Sequence, residues 1–93
     1  AVYRVRDKIF ATLRDKAGVT HMNLKCDPDE ALALRDIFPA VVPGYHMNKR
    51  HWNTIMLDGS IPQGELERMM DNSFLLVIRG MPRNRRPVII SST

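Results

Sequence analysis

Cysteine is almost missing from this chain of 93 residues: Cys26 is the single thiol, so no internal disulfide can form. That argues for a reducing compartment and against the disulfide-stapled secreted domains. Paired short cysteine and histidine spacings, which mark structural zinc, are missing too. His46 and His51 lie five apart and would need His21 or Cys26 to converge on them, so no metal is expected. No apolar run approaches the roughly 20 residues that span a bilayer, and no signal-like leader opens the chain. A membrane partner is therefore not expected, and the bacterial cytoplasm is the expected location. Nucleophile elbows and Gly-rich phosphate loops are absent as well, since Gly59 and Gly64 stand alone. Cys26 is flanked by Asp27 and Asp29, whose charges oppose a thiolate, and is expected to be a small buried hydrophobe. Neither a catalytic constellation nor a cofactor is expected.

What is present is a modest surplus of positive charge. Lysine and arginine number 14 against 10 acids, a net charge of +4 that favours polyanionic partners. Its distribution is uneven. Arg79, Arg83, Arg85 and Arg86 follow one another without an acid nearby. Acids gather instead at Asp27, Asp29 and Glu30, and at Glu65, Glu67 and Asp71, where they would complement helix N-termini.

Residues 2–6 and 8–14 read as strands, the first with Tyr3 and Val5 on one face and Arg4 and Arg6 on the other. The second places Ile9, Ala11 and Leu13 opposite Phe10 and Thr12. Arg14-Asp15-Lys16-Ala17-Gly18 reads as a basic hairpin tip leading to a strand over 19–26. Thr20, Met22, Leu24 and Cys26 should face the core there, with His21, Asn23 and Lys25 facing out. Asp27-Pro28-Asp29-Glu30 predicts a helix start, with Asp27 as cap and Glu30 closing a capping box, and Pro39 ends that helix. Residues 41–47 and 52–57 suggest two further strands joined by the basic turn Asn48-Lys49-Arg50-His51. A final helix from about 62 to 79 carries Leu66, Met69, Met70, Ser73, Phe74, Val77 and Ile78 at helical period, and Gly80 and Pro82 stop it. The order βββ-α-ββ-α predicts an α+β fold of two layers, a five-stranded antiparallel sheet with helices on one face.

Two of three histidines, the only tryptophan, one of two tyrosines and a Lys-Arg pair fall between Pro43 and Thr54. Cationic side chains interleaved with aromatic planes suit phosphates and bases. Candidate nucleic-acid contacts are Lys49, Arg50, His51, Trp52 and Tyr45 in this run, Arg14 and Lys16 at the first tip, Lys25 on the outward strand face, and Arg83, Arg85 and Arg86 at the end. The same residues also suit an ordinary solvated surface with Trp52 as a core anchor, and both readings stand at this point.

The string Gly44-Tyr45-His46-Met47-Asn48-Lys49-Arg50-His51-Trp52-Asn53-Thr54, followed by Leu57-Asp58-Gly59-Ser60 and Pro62, resembles the signature block of the MmcQ/YjbR-like family. Lys8-Ile9-Phe10-Ala11 and Leu24-Lys25-Cys26-Asp27-Pro28 resemble two further segments of that family. The resemblance implies a small α+β domain with an α-βββ-α-ββ-α layout, similar to secretion-chaperone folds, a DNA-binding role and no established reaction. This chain opens on a strand, so a single domain over 1–93 without the family's leading helix is expected. The primary expectation is a DNA-binding protein acting through mainly electrostatic contacts. About four to six phosphate contacts would give a slope of log K against log salt near −4 to −5. The rival expectation is a protein-interaction module, binding a partner or a second copy. A small-ligand role would rest only on His46, Asn48, His51 and Asn53.

Overall fold

A computed structural model describes residues 2–44, 48–82 and 84. Three strands, β1 (Val2–Val5), β2 (Lys8–Lys16) and β3 (Val19–Lys25), form a meander. Helix α1 (Pro28–Ile37), strands β4 (Val41–Pro43) and β5 (Trp52–Leu57), and helix α2 (Gln63–Arg79) follow. All pairings are antiparallel and the sheet order is β1-β2-β3-β5-β4, so the second hairpin docks with β5 against β3 and leaves β4 at the edge. The α+β architecture expected from the sequence is the one observed.

The tip between β2 and β3 is shorter than the sequence suggested. Ala17 and Gly18 form it alone, both at positive φ (52° and 81°), as a two-residue primed turn demands. Arg14, Asp15 and Lys16 consequently stay in β2, paired with His21, Thr20 and Val19. A register shift between Tyr3 and Arg4 makes the second departure. Tyr3 pairs with Ala11 and Arg4 with Ile9, which leaves Phe10 as an extra residue. The bulge turns Phe10 toward the helices, where its ring meets Phe74 edge-on with centroids 5.4 Å apart. Such a pair contributes about 0.5–1.5 kcal/mol beyond its buried area.

One face of the sheet packs on both helices. Ala11, Met22, Leu24, Val41 and Ile55 from the strands, with Cys26 just past β3, meet Ala31 and Leu34 of α1 and Met69 of α2. A second cluster, Val5 with Val77, Ile78 and Met81, closes the β1 side. Met70 is exposed, so the apolar stripe of α2 is narrower than its sequence period implied. Asp27 caps α1 by accepting the Asp29 N–H at 3.2 Å. The expected capping box does not form. Glu30 instead accepts Asn72 Nδ2 at 3.0 Å, tying α1 to α2. Among the described residues no helix lies over the other sheet face, and no helix is long and apolar enough to cross a membrane.

Candidate functional site

Alternation along the strands decides which side chains share the face away from the helices. His21 stands opposite both Arg14 and Met56, Asn23 opposite both Thr12 and Thr54, and Lys25 opposite Trp52. The middle row is hydrogen-bonded across three strands: Thr54 Oγ1 donates to Asn23 Oδ1 at 2.5 Å, and Asn23 Nδ2 donates to Thr12 Oγ1 at 3.0 Å. Asn23 is therefore not a solvated outward residue, as the alternation alone had implied. It is buried within this row, where an amide can satisfy both neighbouring hydroxyls.

The charges of the face are of one sign. Arg14 and Lys16 stand at one end, beside His21, and Lys25 at the other. Among the described residues the one carboxylate within a strand, Asp15, alternates to the helix side and accepts Thr20 Oγ1 at 2.7 Å. His21 Nδ1 lies 3.0 Å from Val19 O. A carbonyl only accepts, so that nitrogen carries the proton and the ring is held in one orientation. Arg14, Lys16, His21 and Asn23, with Val42, Pro43, Thr54 and Met56, line a cavity of about 190 Å³.

Lys49 and Arg50 belong elsewhere. The turn preceding β5 is fixed by Asn48 Oδ1, which accepts the Arg50 N–H at 3.0 Å, and both cations are exposed. Arg35 of α1 donates through Nε to Asn53 Oδ1 at 2.7 Å and through Nη2 to the Lys49 carbonyl. Asn53, fully buried, also donates to Ala31 O at 3.2 Å. The basic turn is thus clamped beside α1. Arg14 is level with Met56, four residues along β5 from Trp52, so the two basic groups stand at least about 13 Å apart along the sheet. Lys25, half-buried His51 and half-buried Trp52 lie between them, around a shallow cleft with Asn48 and Cys26. Tyr45, His46, Met47, Arg83, Arg85 and Arg86 lie outside the described residues.

Gly44 has a steric reason to be glycine. Its N–H donates to Trp52 O at 2.9 Å, and an added Cβ would sit 2.7 Å from Trp52 Cβ and 2.9 Å from Trp52 O. Only hydrogen fits where β4 and β5 approach this closely. The Asn48, His51 and Asn53 cluster does not converge: Asn53 faces α1 while Asn48 is engaged within its turn. Among the described residues no group of three metal-ligating side chains gathers. Burial, reinforced by Glu30, pushes the Cys26 thiol up to about 11.

The family model for YjbR matches residues 1–76, which include the glycine, the clamped turn and the start of α1. The chain belongs to the YjbR family. Among its relatives, Uncharacterized protein YbdF of Escherichia coli O157:H7 is 35% identical over 82 residues, 88% of this chain and 67% of that one. Uncharacterized protein YjbR of Escherichia coli K12 is 31% identical over 87 residues, 94% of this chain and 74% of the relative. A crystal structure from Deinococcus radiodurans, assigned to the domain DUF419, superposes with a TM-score of 0.79 at 34% identity. That comparison covers 85% of this chain, which spans 59% of the Deinococcus protein. A Pseudomonas syringae crystal structure matches with a TM-score of 0.73 at 33% identity, over 81% of this chain and 74% of the other. The YjbR fold is therefore shared at clear sequence similarity. Residues the sequence did not single out are Arg35, Thr12, Val42 and Met56. Of these, only Arg35 left a signal, as the lone cation in an otherwise acidic helix.

Proposed function

We propose that this domain binds DNA through the sheet face turned away from its helices, mainly by electrostatic contact with phosphates. The observation that carries the reading is the segregation of charge between the two layers. Arg14, Lys16 and Lys25 share the face that no described helix covers, while the helices carry six acids, Asp29, Glu30, Asp36, Glu65, Glu67 and Asp71, against three cations, Arg35, Arg68 and Arg79. A polyanion approaching the molecule is attracted by one side and repelled by the other, which orients it before contact. Lys49 and Arg50, held beside α1, form a second exposed cationic group apart from that face, and Trp52, opposite Lys25, offers a plane for stacking. A cytoplasmic location belongs to the same proposal and suits a chain with a single thiol.

Charge reversal tests the assignment of the face. The double variant Arg14→Glu with Lys25→Glu is expected to lose duplex DNA binding by about tenfold or more, whereas Arg68→Ala on α2 leaves it within about twofold. Equal losses from both variants would remove the sheet face from the reading.

A second reading, self-association or protein binding, is favoured by Leu32 and Ile37, which are 59% and 64% exposed on α1. Sedimentation at rising concentration decides it. A mass shift abolished by Leu32→Glu supports association through α1, and a constant monomer mass excludes it.

A further inference from the structure

We propose that the cleft at the Arg14 end of the free sheet face receives one unstacked nucleotide, so that the domain prefers single-stranded DNA to duplex. The inference rests on the DNA-binding reading and adds the form of nucleic acid that the face selects. Its basis is the composition of the cleft, which a purely electrostatic duplex contact would not need. Val42, Pro43 and Met56 form an apolar wall; Asn23 and Thr54, bonded to one another, form a polar floor; Arg14, Lys16 and His21 form the rim.

Each part has a counterpart in a nucleotide. Phosphate oxygens suit the rim cations, whose long side chains project from adjacent positions on one strand face. A base laid against Val42 and Met56 buries an apolar plane that water wets poorly. The His21 ring is held by its Nδ1–H bond to Val19 O, so its Nε2 points away from that bond, and no described residue partners it. With the proton on Nδ1, Nε2 of the neutral ring accepts a hydrogen bond from a base edge. Contacts of this kind tolerate any base, because they depend on the base plane more than on a donor and acceptor pattern. In a duplex the bases are stacked and paired, so only backbone reaches the rim and the wall stays unused. The larger cleft between α1 and α2, bridged by Glu30 and Asn72 and lined by Lys25, Asp27 and Arg79, mixes both signs and points to no single ligand.

Fluorescence anisotropy with a labelled oligo(dT) and with a mixed-sequence duplex of the same length, at two salt concentrations, tests this. The single strand is expected to bind about fivefold tighter or more. Val42→Trp, which fills the cleft, is expected to erase that advantage while duplex affinity stays within about twofold. Met56→Trp obstructs the same cleft from β5, opposite His21, and serves if Val42→Trp does not fold. Equal affinities for the two forms, with salt-dependent duplex binding, overturn the inference and leave phosphate contact standing. A single-strand preference that survives both tryptophan variants overturns the cleft as its cause. Binding of neither oligonucleotide overturns both readings.

Discussion

Replacing Asn53 by alanine should be among the most damaging single changes outside the apolar core. The side chain is fully buried and makes two bonds of different kinds: it accepts Arg35 Nε at 2.7 Å and donates to Ala31 O at 3.2 Å. A bond to a charged donor contributes about 1.5–3 kcal/mol and a neutral one about 1 kcal/mol. Because Arg35 is half-buried, water can partly replace its lost partner, which favours the lower end. The expected loss is about 2.5–3 kcal/mol, or about 10–20 °C in melting temperature for a domain of this size. Arg35 also holds the Lys49 carbonyl, so the basic turn should loosen along with the global loss. Thermal melts followed by far-UV circular dichroism, with urea titrations alongside, measure the effect. An Asn53→Ala protein that melts within about 3 °C of the parent would refute the reasoning, since no fully buried, doubly bonded amide should be that dispensable. A double-mutant cycle with Arg35→Ala should return a coupling of about 1 kcal/mol or more.

Gly44→Ala should cost about 1–3 kcal/mol, because the new Cβ meets Trp52 backbone and Cβ atoms that cannot rotate away; an unchanged urea midpoint would contradict this. Ala17→Gly should stabilise the β2–β3 turn by a few tenths of a kcal/mol, up to about 1 kcal/mol, since Ala17 sits at φ 52° where a Cβ is strained; a lower melting temperature would contradict it. Cys26 should react slowly with a thiol reagent at pH 8 until denaturant is added, as burial and Glu30 hold its proton. Its folded pKa of about 11 lies above the ordinary 9.0, so its contribution is complete below pH 9 and lost as pH rises toward 11. Cys26→Val should flatten the fall in stability across that window, and an identical fall in the variant would exclude the thiol as a cause.

The fold was legible wherever local pattern and tertiary packing agree. The alternation of Met22, Leu24 and Cys26, the Asp27-Pro28 start of α1 and the Gly80 stop of α2 all appear where sequence placed them. Misreadings arose where a distant partner decides. Phe10 turned inward because β1 and β2 slip register by one residue, which no property of Phe10 announces. Glu30 found Asn72, 42 positions away, in preference to its own helix end. At the candidate site, composition located the cations but not their grouping. The separation of Lys49 and Arg50 from Arg14 and Lys16 was not legible, because it is the docking of β5 between β3 and β4 that sets the two groups at opposite ends. Asn23 looked solvated because its neighbours Thr12 and Thr54 come from other strands.

The most direct test of the account is the ionic-strength dependence of duplex DNA binding by the unmodified chain. Contact with about four to six phosphates predicts that log K falls against log salt with a slope near −4 to −5, reduced by about two when Arg14 and Lys25 are both replaced by alanine. A flat dependence, or no binding at low salt, would contradict it.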